Sequence, residues 1–289
     1  MSALDPRRHA FRPDLADERL RGQVEAERFV AGMAKRLAVP SIELHATPRA
    51  DQPAVTEVLW GEDVLVFEEQ KDWAFVQLVR DGYVGYLARE ALGPEKSVLS
   101  HQVVTIWGFG FKSPDIKSNL RMVLPLGARV VGTLDGDFLK LESGLFMPRQ
   151  HVAPLATHAA DYVDIAERFT GVPYRWGGKT ALGLDCSGLV QVAMQAAGFE
   201  VPRDSDMQQA VVGQAVTQGD WHDLKRGDLV YWLGHAGIMT DAVQLLHANA
   251  HHMAVVKELL VTVVKRAEAA GQAISGIRRP SGLSASPVT

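Results

Sequence analysis

One thiol and a pair of imidazoles carry the most reactive chemistry in this sequence. Cys186 is the single cysteine among 289 residues. One thiol cannot close an internal disulfide or build a multi-cysteine zinc site. It follows Asp185 in the run GLDCSGLVQVAMQAAGF, where Leu189, Val190, Ala193, Met194 and Ala197 recur at helical spacing and Gly198 marks a stop. Asp185 is the expected N-cap, which puts Cys186 in the first helical turn. Unpaired N–H groups and the positive end of the helix dipole favour an anion there. The placement predicts a thiol with a lowered pKa and more of the nucleophilic thiolate. The same N–H groups suit the oxyanion of a tetrahedral intermediate. The competing reading of a lone thiol is a buried, inert one.

His235 opens HAGIM and His247 lies in VQLLHAN, with Thr240-Asp241-Ala242 as turn material between two runs that read as strands. A hairpin closing on that three-residue loop puts the two histidines directly opposite each other on one face, ~5 Å apart at Cβ. A one-residue slip would send them to opposite faces. An imidazole whose second nitrogen is held by a neighbour has a fixed tautomer, as a general base beside a thiol requires. A strand histidine alone reads as a structural residue; the pair, together with a helix-start cysteine, favours nucleophilic catalysis.

The elements that must position these groups fall into two textures. Residues 1–14 are polar with Pro6 and Pro13 and read as an extended arm, and 15–33 fit a short helix or a strand equally. Past Pro40, runs such as TEVLWGEDVLVFEEQ, DWAFVQLV and DGYVGYLAR alternate apolar and polar residues between closely spaced turn residues, as in small antiparallel β domains. The texture recurs. Gly61–Glu90 and Gly127–Gln150 both show a strand, a turn, an aromatic opening a second strand (Trp73, Phe138) and a Gly-containing turn (Asp81-Gly82, Ser143-Gly144) into a last strand. Beyond Pro154 the pattern becomes α+β: a helix around Ala160, Val163, Ala166 and Phe169, the Cys186 helix, then strands DLVYWL, HAGIMT, VQLLHAN and AVVKELLV. The expected division is an arm at 1–33, β domains at 34–96 and 97–155, an α+β domain at 156–280 and a mobile tail at 281–289.

Composition narrows the function classes. With 30 basic against 34 acidic side chains and a net charge of −4, nothing suggests a nucleic-acid partner. No apolar run is long enough for a membrane-spanning helix. The first twenty residues lack the apolar core of an export signal, so a cytoplasmic protein is expected. His247, His251 and His252 lack acidic or thiol ligands at a zinc spacing, and no metal or cofactor is expected. Trp60, Trp73 and Trp107 read as packing residues and Trp176 as a candidate for the site. FEEQKD and VVKRAEAAG read as solvated charge patterns.

The blocks YRWGGKTALGLDCSGLVQ, VPRDSDMQ, KRGDLVYW, GHAGIM and LLHAN, in this order, resemble the NlpC-type bacterial cysteine peptidases, whose fold is papain-like. Two small SH3-like β-barrel domains ahead of such a domain resemble the subgroup of γ-D-glutamyl-L-diamino-acid endopeptidases, which act on murein peptides. The resemblance implies Cys186 as nucleophile, His235 as general base and His247 as the polar residue orienting it. It also implies Asp185 and Ser205 in substrate binding, Ser187 beside the nucleophile, Tyr174 lining the cleft, and Tyr83 (or Tyr86) with Glu62 recognising the substrate's free amine. The implied substrate is a murein-derived peptide, L-Ala-γ-D-Glu-diamino acid, with its N-terminus unblocked; the diamino acid and the oligomeric state stay open. The rivals are a non-catalytic peptide-binding scaffold, a thiol acyltransferase, and a hydrolase or amidase acting on intact peptidoglycan.

Overall fold

The computed structural model describes residues 4–94, 97–216 and 223–280, so the tail at 281–289 lies outside the described residues. The chain divides into two compact units, 1–157 and 158–289.

In the first unit, a seven-stranded sheet runs in the order Leu92–Pro94, Met33–Leu37, Asp63–Gln70, Trp73–Leu78, Val84–Ala88, Ser41–His45, Ala54–Leu59. Its pairings are antiparallel. The order has two ends, so the expected barrel is an open sheet. One edge is only three residues long and carries Pro94, which has no N–H to extend a ladder. Residues beyond it form a five-stranded and a three-stranded sheet, again without closure. The repeat read from the sequence reappears as two three-stranded meanders. Asp63–Gln70, Trp73–Leu78 and Val84–Ala88 correspond to Gly132–Asp135, Phe138–Leu141 and Phe146–Pro148, and each set runs into a 3₁₀ turn. Gly82 and Gly144 take φ of +75° and +83° at the equivalent turns, a region closed to most side chains.

The N-terminal residues are not an extended arm. Phe11–Arg12 pairs with Leu15–Asp17, which pairs in parallel with Arg28–Val30. Burial drives this: Ala10 and Leu15 are 1% and 0% exposed and pack with Phe67, Phe75 and Val84. The Arg12 guanidinium lies 5.0 Å from the Phe75 ring centroid, and Arg12 and Arg28 both bind Glu68. Glu68 of FEEQKD is thus a docking point, not a solvated charge. Trp60 packs on the core of the second meander, Trp73 meets His45 edge-on, and Trp107 is half-buried, whereas Trp176 is 65% exposed.

The second unit holds helices α1 (Tyr162–Glu167), α2 (Cys186–Ala196), α3 (Ser205–Val211) and α4 (Leu260–Ala269). Its six-stranded antiparallel sheet has the order Gln214–Ala215, Gly276–Arg279, Leu229–Trp232, His235–Met239, Gln244–Asn249, Ala254–Leu259. Helix α2 packs on the His235–Met239 and Gln244–Asn249 strands. The last strand stops at Leu259, short of the expected AVVKELLV. Leu260, Val263 and Val264 repeat at helical spacing, and helical geometry lets all three bury against Val230, Trp232, Met239 and Leu245.

Candidate active site

Asp185 caps α2 as expected, its Oδ1 accepting the Gly188 N–H at 2.7 Å while its backbone oxygen accepts that of Leu189 at 3.0 Å. Its Oδ2 accepts the Gly177 N–H at 2.8 Å and Arg203 Nη2 at 2.6 Å. Arg203 is 1% exposed and also donates through Nη1 to Ser187 Oγ at 2.8 Å. Gln208 Nε2 donates to the Ser187 backbone oxygen at 3.0 Å. This web holds the helix start against the preceding loop. A Cβ on Gly188 would lie 2.3 Å from the Gly178 oxygen, so the close approach requires glycine there.

Cys186 therefore stands at a helix tip, but its thiol is not the activated one that the tip alone predicts. The residue is 7% exposed. Burial first, and the Asp185 carboxylate second, push the thiol up to about 12 against the N–H groups of Ala236 and Ser187 and the Arg203 charge. Desolvation outweighs the N–H groups that face the sulfur. At neutral pH the folded protein then holds less thiolate than a free cysteine would. Alkylation of Cys186 by iodoacetamide should still be rising at about pH 10, with no plateau near neutrality. A plateau reached by about pH 7 would restore the low-pKa thiolate.

Sγ donates to the Gly234 oxygen at 3.9 Å and receives the Ala236 N–H, so the sulfur touches backbone on both sides of His235. The histidine hairpin has a different register from the expected one. Ile238 faces Leu246 and Met239 faces Leu245. The loop shifts by one position because Asp241 Oδ1 accepts the N–H groups of Val243 and Gln244, both at 2.8 Å. The strand slides by two residues, so the histidines keep a common face and become diagonal rather than direct neighbours. They still meet: His235 Nε2 lies 2.9 Å from His247 Nδ1. Burial, with His247 next, pushes His235 down to about 3, and burial also lowers His247.

The sequence reading assigns four residues of this constellation no role beside His247. Glu258 Oε2 lies 2.9 Å from His247 Nε2, and Arg266 donates to both Glu258 oxygens at 2.9 and 2.7 Å. His252 Nε2 is 3.2 Å from Glu258 Oε1. Asn249 Nδ2 lies 3.0 Å from His247 Nε2, with Asn249 Oδ1 accepting the His252 N–H at 2.8 Å. The Arg266 hydrogen bonds hold the Glu258 carboxyl far below the ordinary range. Arg266 belongs to VVKRAEAAG, so that segment is not merely a solvated face. A signal was present: His247 faces Val256, and strand alternation brings Glu258 to the same face.

Tyr174 is half-buried; burial first, with Cys186 and Asp185 nearby adding to it, pushes its hydroxyl up to about 12. Ser205 opens α3 and is half-buried. Asp185 and Ser187, expected to bind substrate, are buried and committed to Arg203. Tyr83 and Glu62 belong to the first unit and are 4% and 2% exposed. Glu62 Oε2 accepts the Leu59 N–H at 3.0 Å, and its Oε1 lies 3.8 Å from Arg80, so this carboxylate stabilises its own turn. Tyr86 uses its hydroxyl to accept from Arg12 at 3.2 Å.

A buried thiol at a helix start, touching the backbone on both sides of a histidine whose ring is backed by a second imidazole and a carboxylate, is the equipment of a thiol-dependent hydrolase. Residues 171–267 match the NlpC/P60 family, and residues 44–92 match the bacterial dipeptidyl-peptidase SH3 domain. The chain is 29% identical over 222 residues to the γ-D-glutamyl-L-lysine dipeptidyl-peptidase of Bacillus subtilis, covering 68% of this chain and 73% of that one. It is 26% identical over 231 residues to dipeptidyl-peptidase 6 of Lysinibacillus sphaericus, covering 71% and 84%. The crystal structure of an NlpC/P60 family protein from Bacillus cereus shares the fold, with a TM-score of 0.72 over 86% of this chain and 99% of that one at 19% identity. The chain is a cysteine peptidase carrying an NlpC/P60 domain and a bacterial SH3 domain.

Proposed function

We propose that this peptidase hydrolyses the γ-D-glutamyl–diamino acid bond of murein-derived peptides whose N-terminal L-Ala is free. The observation that carries the reading is the contact of the Cys186 sulfur with the backbone on both sides of His235, whose ring is backed by His247 and Glu258. The extended similarity to the Bacillus subtilis γ-D-glutamyl-L-lysine dipeptidyl-peptidase supplies the bond. In the reaction, the Cys186 proton passes to His235 as sulfur attacks the γ-carbonyl. The capping contacts use the N–H groups of Gly188 and Leu189, and that of Ser187 faces the sulfur. The N–H of Cys186 itself is then the helix-start donor for the oxyanion, a contribution of about 3 kcal/mol where geometry is good. His235 returns the proton to the leaving amine, and a water, deprotonated by His235, hydrolyses the thioester.

Selection for a free amine fits a substrate already released from the glycan, since the lactyl group of intact peptidoglycan acylates that nitrogen. We place the reaction in the cytoplasm, in salvage of wall fragments, and read 34–96 and 97–155 as two SH3-like units. Asp185, the acid that the resemblance places in substrate binding, has its carboxylate occupied by Arg203. Incubation with L-Ala-γ-D-Glu-diaminopimelate, its lysine counterpart and their N-acetylated forms, with mass spectrometry of the products, tests this. Cleavage of the free peptides at the glutamyl bond is expected, at a rate at least about 100-fold above the blocked ones. That ratio corresponds to ~2.7 kcal/mol for an unpaired buried polar group. Equal rates on both, or release of the peptide from intact glycan, would overturn it in favour of a wall hydrolase.

A further inference from the structure

We propose that Glu258 is a positioning residue that sets the tautomer of the histidine relay, and that Arg266 holds it in place for that purpose. The inference rests on the thiol-hydrolase reading above and assigns the direction in which the relay points. Two groups compete for one nitrogen. His247 Nε2 lies 2.9 Å from Glu258 Oε2 and 3.0 Å from Asn249 Nδ2. The Asn249 amide cannot turn to relieve the conflict, because its oxygen accepts the His252 N–H at 2.8 Å. A carboxylate only accepts and an amide nitrogen only donates, so His247 Nε2 satisfies one neighbour or the other.

The choice propagates along the relay. If Nε2 carries the proton and donates to Glu258, His247 Nδ1 has a lone pair and accepts from His235 Nε2 across 2.9 Å. His235 Nδ1 is then unprotonated, the form that can take the cysteine proton. If instead Nε2 accepts from Asn249, His247 Nδ1 carries the proton and donates to His235 Nε2. The His235 proton is then on Nδ1, and the ring has no base to offer. Charge decides between them. A hydrogen bond to an ionised carboxylate is about twice as strong as a neutral one, and Glu258 is kept ionised by the two bonds from Arg266. When His235 becomes an imidazolium after taking the thiol proton, the same carboxylate lies one ring away and stabilises the charge. Among the described residues, His252, 3.2 Å from Glu258 Oε1, and Arg266 are the other charged or titratable groups facing this carboxylate, and both favour its ionised form.

Glu258→Gln tests the assignment, since glutamine keeps the shape and can turn an N–H toward His247 Nε2, imposing the wrong tautomer. A comparable carboxylate-to-amide exchange behind a catalytic histidine costs about 10⁴-fold in kcat. Here the expected loss in kcat is about 10² to 10⁴-fold with KM changed by less than about threefold. Glu258→Asp should recover at least about tenfold of it. Asn249→Ala is expected to cost at least about tenfold less than Glu258→Gln. The readout that a structural role would not move, and that needs no substrate, is ¹H–¹⁵N correlation NMR of the imidazoles. The His247 proton should sit on Nε2 in the parent protein and on Nδ1 in Glu258→Gln. A parent His247 protonated on Nδ1, or Asn249→Ala more damaging than Glu258→Gln, would overturn the proposal. Absence of glutamyl-bond cleavage in the parent protein would instead count against the substrate assignment and leave the tautomer result standing.

Discussion

Exchange of Cys186 for alanine should lower turnover of the γ-D-glutamyl peptide by about 10⁵-fold or more, comparable to loss of the nucleophile in a serine hydrolase. Cys186→Ser should be almost as damaged, and the reason is specific to this site. A hydroxyl is a far weaker acid than a thiol, and it needs a competent base to become a nucleophile. His235, pushed by burial down to about 3, is a poor base in the resting protein. It can take a proton only as sulfur begins to bond to the carbonyl and the charge is shared along His247 and Glu258. A polarizable, intrinsically nucleophilic sulfur tolerates that arrangement and an oxygen does not. Steady-state turnover of both variants, with rapid-quench mass spectrometry for the thioester in the parent protein, checks this. A serine variant within about tenfold of the parent rate would show that the imidazole is a stronger base than its burial implies.

The contrast between what the sequence revealed and what it concealed follows from the range of the forces involved. Asp185, Cys186 and the apolar stripe of α2 are legible because capping and helical periodicity act over one or two turns. The common face of His235 and His247 is legible because strand alternation survives a two-residue slide, although the loop register itself depended on the Asp241 side chain bonding to two N–H groups. The N-terminal segment hides its sheet because its partners, Phe67, Phe75 and Glu68, lie some fifty residues away and nothing local announces them. The raised Cys186 pKa is concealed for the same reason. Capping and spacing show the helix tip but not the burial that overrides it. Glu258 and Arg266 read as ordinary charges until the neighbouring strand and α4 bring them behind His247.

Arg203→Ala should lower the unfolding free energy by about 3–5 kcal/mol, the usual cost of leaving one member of a buried ion pair behind. Arg203 and Asp185 have side chains only 1% and 9% exposed, at 2.6 Å. Removing the guanidinium strands the carboxylate with the Gly177 and Gly188 N–H groups and the Ser187 hydroxyl as its remaining partners. Arg203→Lys should rescue little. One ammonium on a flexible stem cannot reproduce a planar fork that spans Asp185 Oδ2, Ser187 Oγ and the Gly178 oxygen. Adding Asp185→Asn to Arg203→Ala should recover part of the loss, because asparagine still caps a helix and leaves no orphaned charge. Denaturant titration of the four proteins in a double-mutant cycle measures the coupling. A cost under about 1 kcal/mol for Arg203→Ala would mean that the pair does not anchor the start of α2. Asp185 would then be available to a substrate ammonium after all, and the two roles could be separated by the effect of Asp185→Asn on KM for free against N-acetylated peptide.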